Sequence, residues 1–462
     1  MHTHFSDTQL ADPALADAAR VIRSCVRHGF CPQTCPTYVL SGDENDSPRG
    51  RIDLARAMLE RGGAPDAATV AHLDGCLGCL ACESVCAARV DYRHLIDRAR
   101  AHVERHFRRP WRERLWRALV AAVLSRPARL GVAVRVGHLA RAGQRVLPRA
   151  LRELLRLLPA KDAAGAPRAV PPPATHAGPP RRVALVAGCV QQVLGARINA
   201  AILRLLARCG CEVVLIDGDA CCGALDQHMG REAEARARAG RLVTRLANEM
   251  AGAGLDAIVI GISGCGTTLK DYGHLFAHDA TLAATARAVA ARVRDISEYL
   301  DACGFAVATP APALPLAYHD ACSLRHGQRV TAAPRRLLRA AGFDLREVPE
   351  GHFCCGSAGT YNLLQPTLAA ELGRRKARAI AASGAVAVAA GNLGCMVQLT
   401  RHGDRPLLHT AELLDWAAGG PLPAALAGID LSAYPARTAV PVTAIAASAE
   451  EEINFWVYEA GT

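Results

Sequence analysis

Lysine is nearly missing from this chain: of 54 basic residues only Lys161, Lys270 and Lys376 are lysine. So uniform a preference reads as a bias of composition, and the arginines cannot be taken as chosen for bidentate recognition. Aromatic residues are scarce at 4%, and the basic stretches carry no stacking residues in a nucleic-acid-binding pattern, so no nucleic-acid partner is expected. No run of about 18 to 20 uninterrupted apolar residues occurs, so no helix is expected to span a bilayer and membrane contact would be peripheral. The opening Met1-His-Thr-His-Phe-Ser-Asp7 lacks the charged-then-apolar order of an export signal. The thiols are therefore expected to be reduced and cytoplasmic, a setting that favours metals over disulfides. A G-x-G-x-x-G after a strand, a P-loop and a nucleophile-base motif are missing too, which argues against a flavin or a catalytic site in this chain.

What the chain does have is cysteine. It has eighteen, seven of them in two runs within the first ninety residues. The second run, Cys76-Leu-Gly-Cys79-Leu-Ala-Cys82-Glu-Ser-Val-Cys86, is a complete C-x2-C-x2-C-x3-C, in which three thiolates wrap one iron-sulfur cube and the fourth reaches a neighbouring cube. The first run, Cys25-Val-Arg-His28-Gly-Phe-Cys31-Pro-Gln-Thr-Cys35-Pro36, keeps the spacing with His28 in the second slot. By the exchange rule, Cys25, His28, Cys31 and Cys86 would hold one [4Fe-4S] cluster, and Cys76, Cys79, Cys82 and Cys35 the other. A zinc site needs four ligands, not two interleaved sets.

At 462 residues the chain is too long for one core. Residues 8–30 and 51–62 have helical patterning, with Ser47 as N-cap and Pro48 in the first turn. A second reading places Arg49 and Arg51 beside a negatively charged cluster or a partner's acidic rim. Residues 101–160 hold fourteen arginines and three glutamates, which matches the whole chain's formal charge of +11. From Trp111 to Leu158 apolar residues recur at helical spacing. These basic amphipathic helices could lie on anionic lipid, dock on an acidic partner, or wrap the core with a solvated face. Residues 160–180 read as a proline-rich linker.

The remainder is an internal repeat. Val183-Ala-Leu-Val-Ala-Gly-Cys189 precedes a helix, a strand (212–217), Cys221-Cys222-Gly223, a second helix, a strand (257–261) and Ser263-Gly-Cys265. Leu316-Ala-Tyr-His-Asp-Ala-Cys322 opens the same order, through Cys354-Cys355-Gly356 and a strand (385–389) to Cys395. Both copies place the cysteine pair 32 positions after the lone cysteine. Strands alternating with helices predict two α/β units with thiols at the carboxyl edge of a small parallel sheet. Cys189, Cys221, Cys222 and Cys265 could form one site, and Cys322, Cys354, Cys355 and Cys395 another. A third cluster, zinc and an empty scaffold all remain open, because four thiolates do not name the metal. Cys209, Cys211 and Cys303 lie outside any motif and read as ordinary buried thiols. His319, His326 and His409 read as satisfied structural histidines rather than ligands.

Together these residues resemble the iron-sulfur subunit family of glycolate oxidase (glycolate dehydrogenase), with the likeness running over residues 20–418. It is carried by Gly29-Phe30-Cys31, Cys35-Pro-Thr-Tyr38, Gly42-Asp-Glu44, Pro48-Arg-Gly-Arg-Ile52, the Cys76 run with Val90-Asp-Tyr92, Ser263-Gly-Cys-Gly266, Lys270-Asp-Tyr-Gly273, Cys354-Cys-Gly-Ser-Ala-Gly-Thr-Tyr361 and Gly394-Cys395. The resemblance implies an α/β multidomain chain. It would have a helical ferredoxin-like [4Fe-4S] domain (1–105), basic helices and linker (106–180), and two pseudo-repeated cysteine-rich CCG domains (181–312 and 313–418). The tail (419–462) lies beyond it. Flavin-containing partner subunits would oxidise a 2-hydroxy acid, and this chain would pass the electrons toward the quinone pool. The rival readings are a lactate or glycerol-3-phosphate dehydrogenase subunit, a CCG-domain disulfide reductase, and a non-enzymatic redox sensor or scaffold.

The chain departs from that family's pattern at His28, where cysteine is usual, and at Ala87, where proline is usual. His28 is expected to ligate its cluster; the alternatives are an open or three-iron site and a lost cluster. The fuller cysteine-rich motif has a further cysteine where this chain has Ile262 and Asn392, which weakens the disulfide-cleaving reading.

Overall fold

A computed structural model describes residues 1–141, 143, 155, 158, 171–174 and 180–436. Most of the linker (160–180) and the tail beyond residue 436 lie outside the described residues. Helices Pro13–Ser24, Pro48–Arg61, Ala67–Asp74 and Tyr92–His106 close around Ile22, Ile52, Met58, Leu59, Leu73, Leu95 and Ile96. The starts of these helices are fixed locally. Ser47 Oγ accepts from Gly50 N at 3.0 Å ahead of Pro48, and Asp66 accepts from Thr69 N at 2.8 Å, each satisfying an orphan donor of the first turn.

Two four-stranded parallel sheets follow. Strands β1 (Arg181–Val186), β2 (Cys211–Ile216), β3 (Ala257–Ile260) and β4 (Val293–Asp295) lie in the order β2-β1-β3-β4. Strands β5 (Pro315–His319), β6 (Asp344–Glu347), β7 (Ala387–Ala390) and β8 (Leu407–His409) repeat it as β6-β5-β7-β8. In this order the topology switches between the first and third strands, where parallel sheets open a binding crevice at their carboxyl ends.

The two repeats share one core. Side chains of β1 and β3 (Val183, Leu185, Val259) and of β5 and β7 (Leu316, Tyr318, Ala389) face a common layer built from helices Ala196–Arg208, Ile296–Ala302, Ala332–Ala340 and Thr410–Ala417. The pairing is reciprocal. Helix Ala196–Arg208 packs on Thr410–Ala417, and Ala332–Ala340 packs on Ile296–Ala302. The ion pairs follow the same symmetry: Arg204 and Arg208 reach Asp415 at 2.6 Å, and Arg336 reaches the equivalent Asp301.

Helices Trp111–Leu124 and Pro127–Ala140 carry the basic stretch. Two of its arginines belong to the interior: Arg109 pairs with Asp74 at 2.6 Å, and Arg117 donates to Met229 O at 2.9 Å. Trp111, Leu115 and Leu119 instead line an exposed stripe. Among the described residues no helix is long and apolar enough to cross a membrane.

Helix Tyr92–His106 clamps the N-terminal unit to the first repeat. His94 lies between Asp91 and Asp271 (3.0 Å) and stacks on His274 with ring centroids 3.3 Å apart. Burial opposes its charge, but Asp271 and Asp91 outweigh it and raise the ring from 6.5 to about 10. A raised folded-state value means the clamp stabilises fully below pH 6.5 and fades as pH climbs toward 10. His94→Gln should therefore lower the melting temperature at pH 6 and narrow its gap from the native protein at pH 10; an equal deficit at both would show that the charge is not used.

Candidate metal centres

The Cys76 run wraps back on itself through two left-handed residues, Gly78 (φ 62°) and Leu80 (φ 64°). This backbone brings Cys76, Cys79 and Cys82 around the space that Cys35 enters from helix Pro36–Ser41. Burial pushes the Cys79 and Cys82 thiols up, and neighbouring thiols push them further. Sulfurs gathered this closely are stable together as thiolates only around a cationic centre, which fits an iron-sulfur cluster. The surroundings supply the other half of that fit. Arg51, 1% exposed, directs Nη1 toward Cys35 Sγ at 3.8 Å, and it bonds Thr37 Oγ1 at 2.9 Å. Gly78 N lies 3.4 Å and Tyr92 Oη 3.6 Å from Cys76 Sγ. In the 47–51 segment Ser47 caps the helix, as the first reading has it, and of the two arginines in the second reading only Arg51 directs its guanidinium toward a cysteine sulfur. Arg49 turns outward to Glu44.

The other set is more open. Cys25, Cys31 and Cys86 face one another, and burial, followed by the charge of Cys25, raises the Cys31 thiol to about 11. They line a cavity with His28, Phe30, Val85 and Arg49. His28 is exposed and stacks on Phe30 at 6.2 Å.

Each cysteine-rich repeat gathers its thiols at the carboxyl edge of its sheet. Cys189 follows β1, Cys221 and Cys222 follow β2, and Cys265 lies on the helix after β3. Cys189 is in hydrogen-bonding contact with Cys221, and Cys222 with Cys265. In the second copy Cys322 Sγ lies 3.8 Å from Cys354 Sγ, and Cys355 and Cys395 are buried beside them. The glycine after each pair is obligatory. Gly223 (φ 87°) and Gly356 (φ 85°) are left-handed, and a Cβ there would meet Ala235 O at 2.7 Å or Ala369 O at 2.6 Å. Asn392, in the place of the missing fifth cysteine, directs Nδ2 to Cys395 Sγ at 3.4 Å.

The two cysteine systems touch. Leu77 and Cys79 pack with Cys322, Cys354 and Tyr361 in one apolar cluster, and Tyr361 Oη donates to Gly75 O at 3.0 Å. The 4Fe-4S dicluster domain model matches residues 21–90, and the cysteine-rich domain model matches 183–270 and 316–400. The glycolate oxidase iron-sulfur subunit of Escherichia coli (strain K12) is 36% identical over 417 residues, 90% of this chain and 99% of the relative. The chain belongs to the glycolate oxidase iron-sulfur subunit family. A probable member from Bacillus subtilis (strain 168) is 32% identical over 86% of this chain and 94% of its own length. Lactate utilization protein A of Oceanobacillus iheyensis covers only 51% of this chain at 27% identity, so the whole-length likeness is to the glycolate oxidase subunits. A chain of this family is an iron-sulfur electron-transfer subunit of an oxidoreductase.

Two of the three flagged histidines are satisfied. His409 Nε2 donates to Gly261 O at 2.8 Å while Nδ1 accepts from Ala411 N, and His326 bonds Ser84 Oγ at 2.7 Å and His352 O at 3.2 Å. His319 departs from expectation: it is 1% exposed with neither ring nitrogen bonded. The three thiols outside the motifs are not isolated either. Cys303 meets Cys209 and Tyr299, and Arg181 Nη1 lies 3.0 Å from its sulfur. No motif spacing marks this group, because chain reversal at the amino ends of β1 and β2 assembles it.

The Cys209 hydrogen bond, helped by Tyr299 and Arg181, lowers Cys303 to about 6. Its thiolate is thus populated above pH 6 and lost below it. Iodoacetamide should label Cys303 ahead of Cys209 and Cys211 at pH 7 and more slowly at pH 5, and Arg181→Ala should slow it at pH 7. Peptide mass mapping reads the order.

Proposed function

We propose that this subunit takes electrons from a flavin-bearing partner that oxidises glycolate and delivers them toward the quinone pool. Cys25, His28, Cys31 and Cys86 would hold one [4Fe-4S] cluster, and Cys35, Cys76, Cys79 and Cys82 the second. Bound there, the clusters supply one-electron carriage. The observation that carries the reading is the succession of thiol sites: Cys25, Cys82 and Cys86 share one buried cluster, Cys79 packs with Cys322 and Cys354 in the next, and Cys79 and Cys82 are near enough for their charges to interact. Arg51 and the N–H groups of Gly78 and Val90 place positive charge and donors against the sulfurs, the arrangement that raises cluster potentials.

The outer end of this line suits a partner. Val26 is 60% and Phe30 55% exposed at the mouth of the Cys25 cavity, apolar surface that a docked flavoprotein would cover. The basic helices, with Trp111, Leu115 and Leu119 exposed between arginines, suit an anionic surface, lipid or protein.

Cys79→Ser in the anaerobically purified complex should remove one cluster's iron and stop reduction of an acceptor downstream, while glycolate still reduces the partner's flavin. Unchanged turnover with unchanged iron would refute the ligand assignment. Phe30→Asp should release the flavoprotein on co-purification and leave iron content intact. The flavin-free chain alone should reduce no dye with glycolate or lactate.

A further inference from the structure

The two repeats are built alike but lined differently. Val186 ends β1 and His319 ends β5, each three residues before the lone cysteine. Gly223 meets Ala235 as Gly356 meets Ala369, which aligns Leu242 with Lys376, seven positions further along each helix. All four side chains are buried, at 1 to 2% exposure. The first repeat thus encloses its thiols with valine and leucine, and the second with an imidazole and an ammonium.

Neither polar group in the second repeat is explained by packing. His319 pairs with Ala390 across β5 and β7 at the switch point of the sheet, and both its ring nitrogens lack a partner. One ring nitrogen lies within 4.8 Å of Cys355 Sγ and Cys395 Sγ, and the two sulfurs lie within that distance of each other. A buried imidazole without a hydrogen bond is costly, and a neutral one facing two thiols is a ready metal donor. Lys376 Nζ bonds Glu350 O at 2.7 Å, and its charge acts on Cys355 and Cys354. Among the described residues no carboxylate bonds it directly, and the thiols of Cys355 and Cys354 act on its charge ahead of the carboxylates of Asp320 and Glu350.

We propose that the second cysteine-rich repeat, and not the first, holds an iron-containing centre in which His319 joins Cys355 and Cys395 as a ligand, with Cys322 and Cys354 at its rim and Lys376 as its buried countercharge. The site goes beyond the two-cluster reading, which rests on the Cys25 and Cys76 runs and survives if this site fails. Its position fits the line of thiols, because Cys79 packs on Cys322 and Cys354. The donor set also differs from the four thiols of the first repeat, which among the described residues are grouped with no histidine.

The test uses the anaerobically purified complex. Iron, labile sulfide and zinc are counted, and nitrogen hyperfine coupling is read by pulsed EPR in a His28→Ala background, which removes the other candidate imidazole. His319→Val, which installs the first repeat's own residue, should lower iron relative to the His28→Ala parent and abolish the nitrogen coupling. His319→Cys should keep the iron and lose only the coupling, which a purely structural role would not produce. Lys376→Leu should shift the potential of the same signal negative, because a cation beside the sulfurs favours the reduced state. Circular dichroism checks that each variant is folded. Iron and coupling unchanged in His319→Val, zinc in place of iron, or loss of metal on Val186 or Cys189 substitution but not on His319→Val would each overturn the proposal.

Discussion

Cys79 packed against Cys322 and Cys354 is the contact on which the rest of the chain is arranged. Sulfur ligands buried in groups repel one another as thiolates, so each group has to be matched by a cation and by donors aimed at the sulfurs. The structure meets this demand from outside each motif. Arg51 comes from the following helix, Tyr92 from the helix after the run, and Lys376 from the long helix of the second repeat. Each of these side chains is itself buried, so the helices that carry them cannot shift without stranding a charge. The placement of the helical unit on the second repeat is thereby tied to the chemistry of the sulfurs, with Tyr361 and the His326–Ser84 contact fixing the seam.

The repeats show how one architecture can be kept while its contents diverge. Packing across the shared layer is reciprocal, down to Asp415 and Asp301 meeting arginines from equivalent helices. Capping follows the same rule, with Asp295 and Glu298 in one copy answered by His409 and Glu412 in the other. Such symmetry serves stability, since it buries both inner sheet faces at once. The carboxyl edges are not bound by it. There His319 and Lys376 stand where the first repeat has Val186 and Leu242, and a purely apolar core would reject a buried ammonium and an imidazole whose ring nitrogens have no hydrogen-bond partner.

Much of this was legible in the sequence. The ferredoxin-like spacing and the repeated cysteine plan showed the fold class, because thiol ligands must recur at fixed offsets whatever surrounds them. Strands β1, β2, β3, β5 and β7 were marked by runs of apolar residues, the pattern of strands buried on both faces. The short β4 and β8 and the polar β6 (Asp344-Leu-Arg-Glu347) were not, since three or four residues carry too little periodicity. The Cys209–Cys303 contact and the orphaned ring of His319 were hidden for a different reason. Both depend on which side of a strand or turn faces which neighbour across long stretches of chain. The buried share of the arginine stretch was hidden likewise: Arg109 and Arg117 share the local pattern of their exposed neighbours, and only tertiary packing separates them.

The two imidazoles among the thiols differ in their access to water, and this separates their roles. His28 stands exposed at the mouth of the Cys25 cavity with only Phe30 stacked on it. As a ligand it would stand at the solvent side of its site. His319 is sealed beneath β5, and burial, followed by the charge of Lys376, pushes its ring down to about 3. A ring held neutral by its surroundings contributes a lone pair but no proton. Lys376 stands beside that ring with its own ammonium buried, and burial lowers its pKa from the usual lysine value. The Cys25 cavity is thus open to the medium, and the ring of His319 is closed off from it at the carboxyl end of β5.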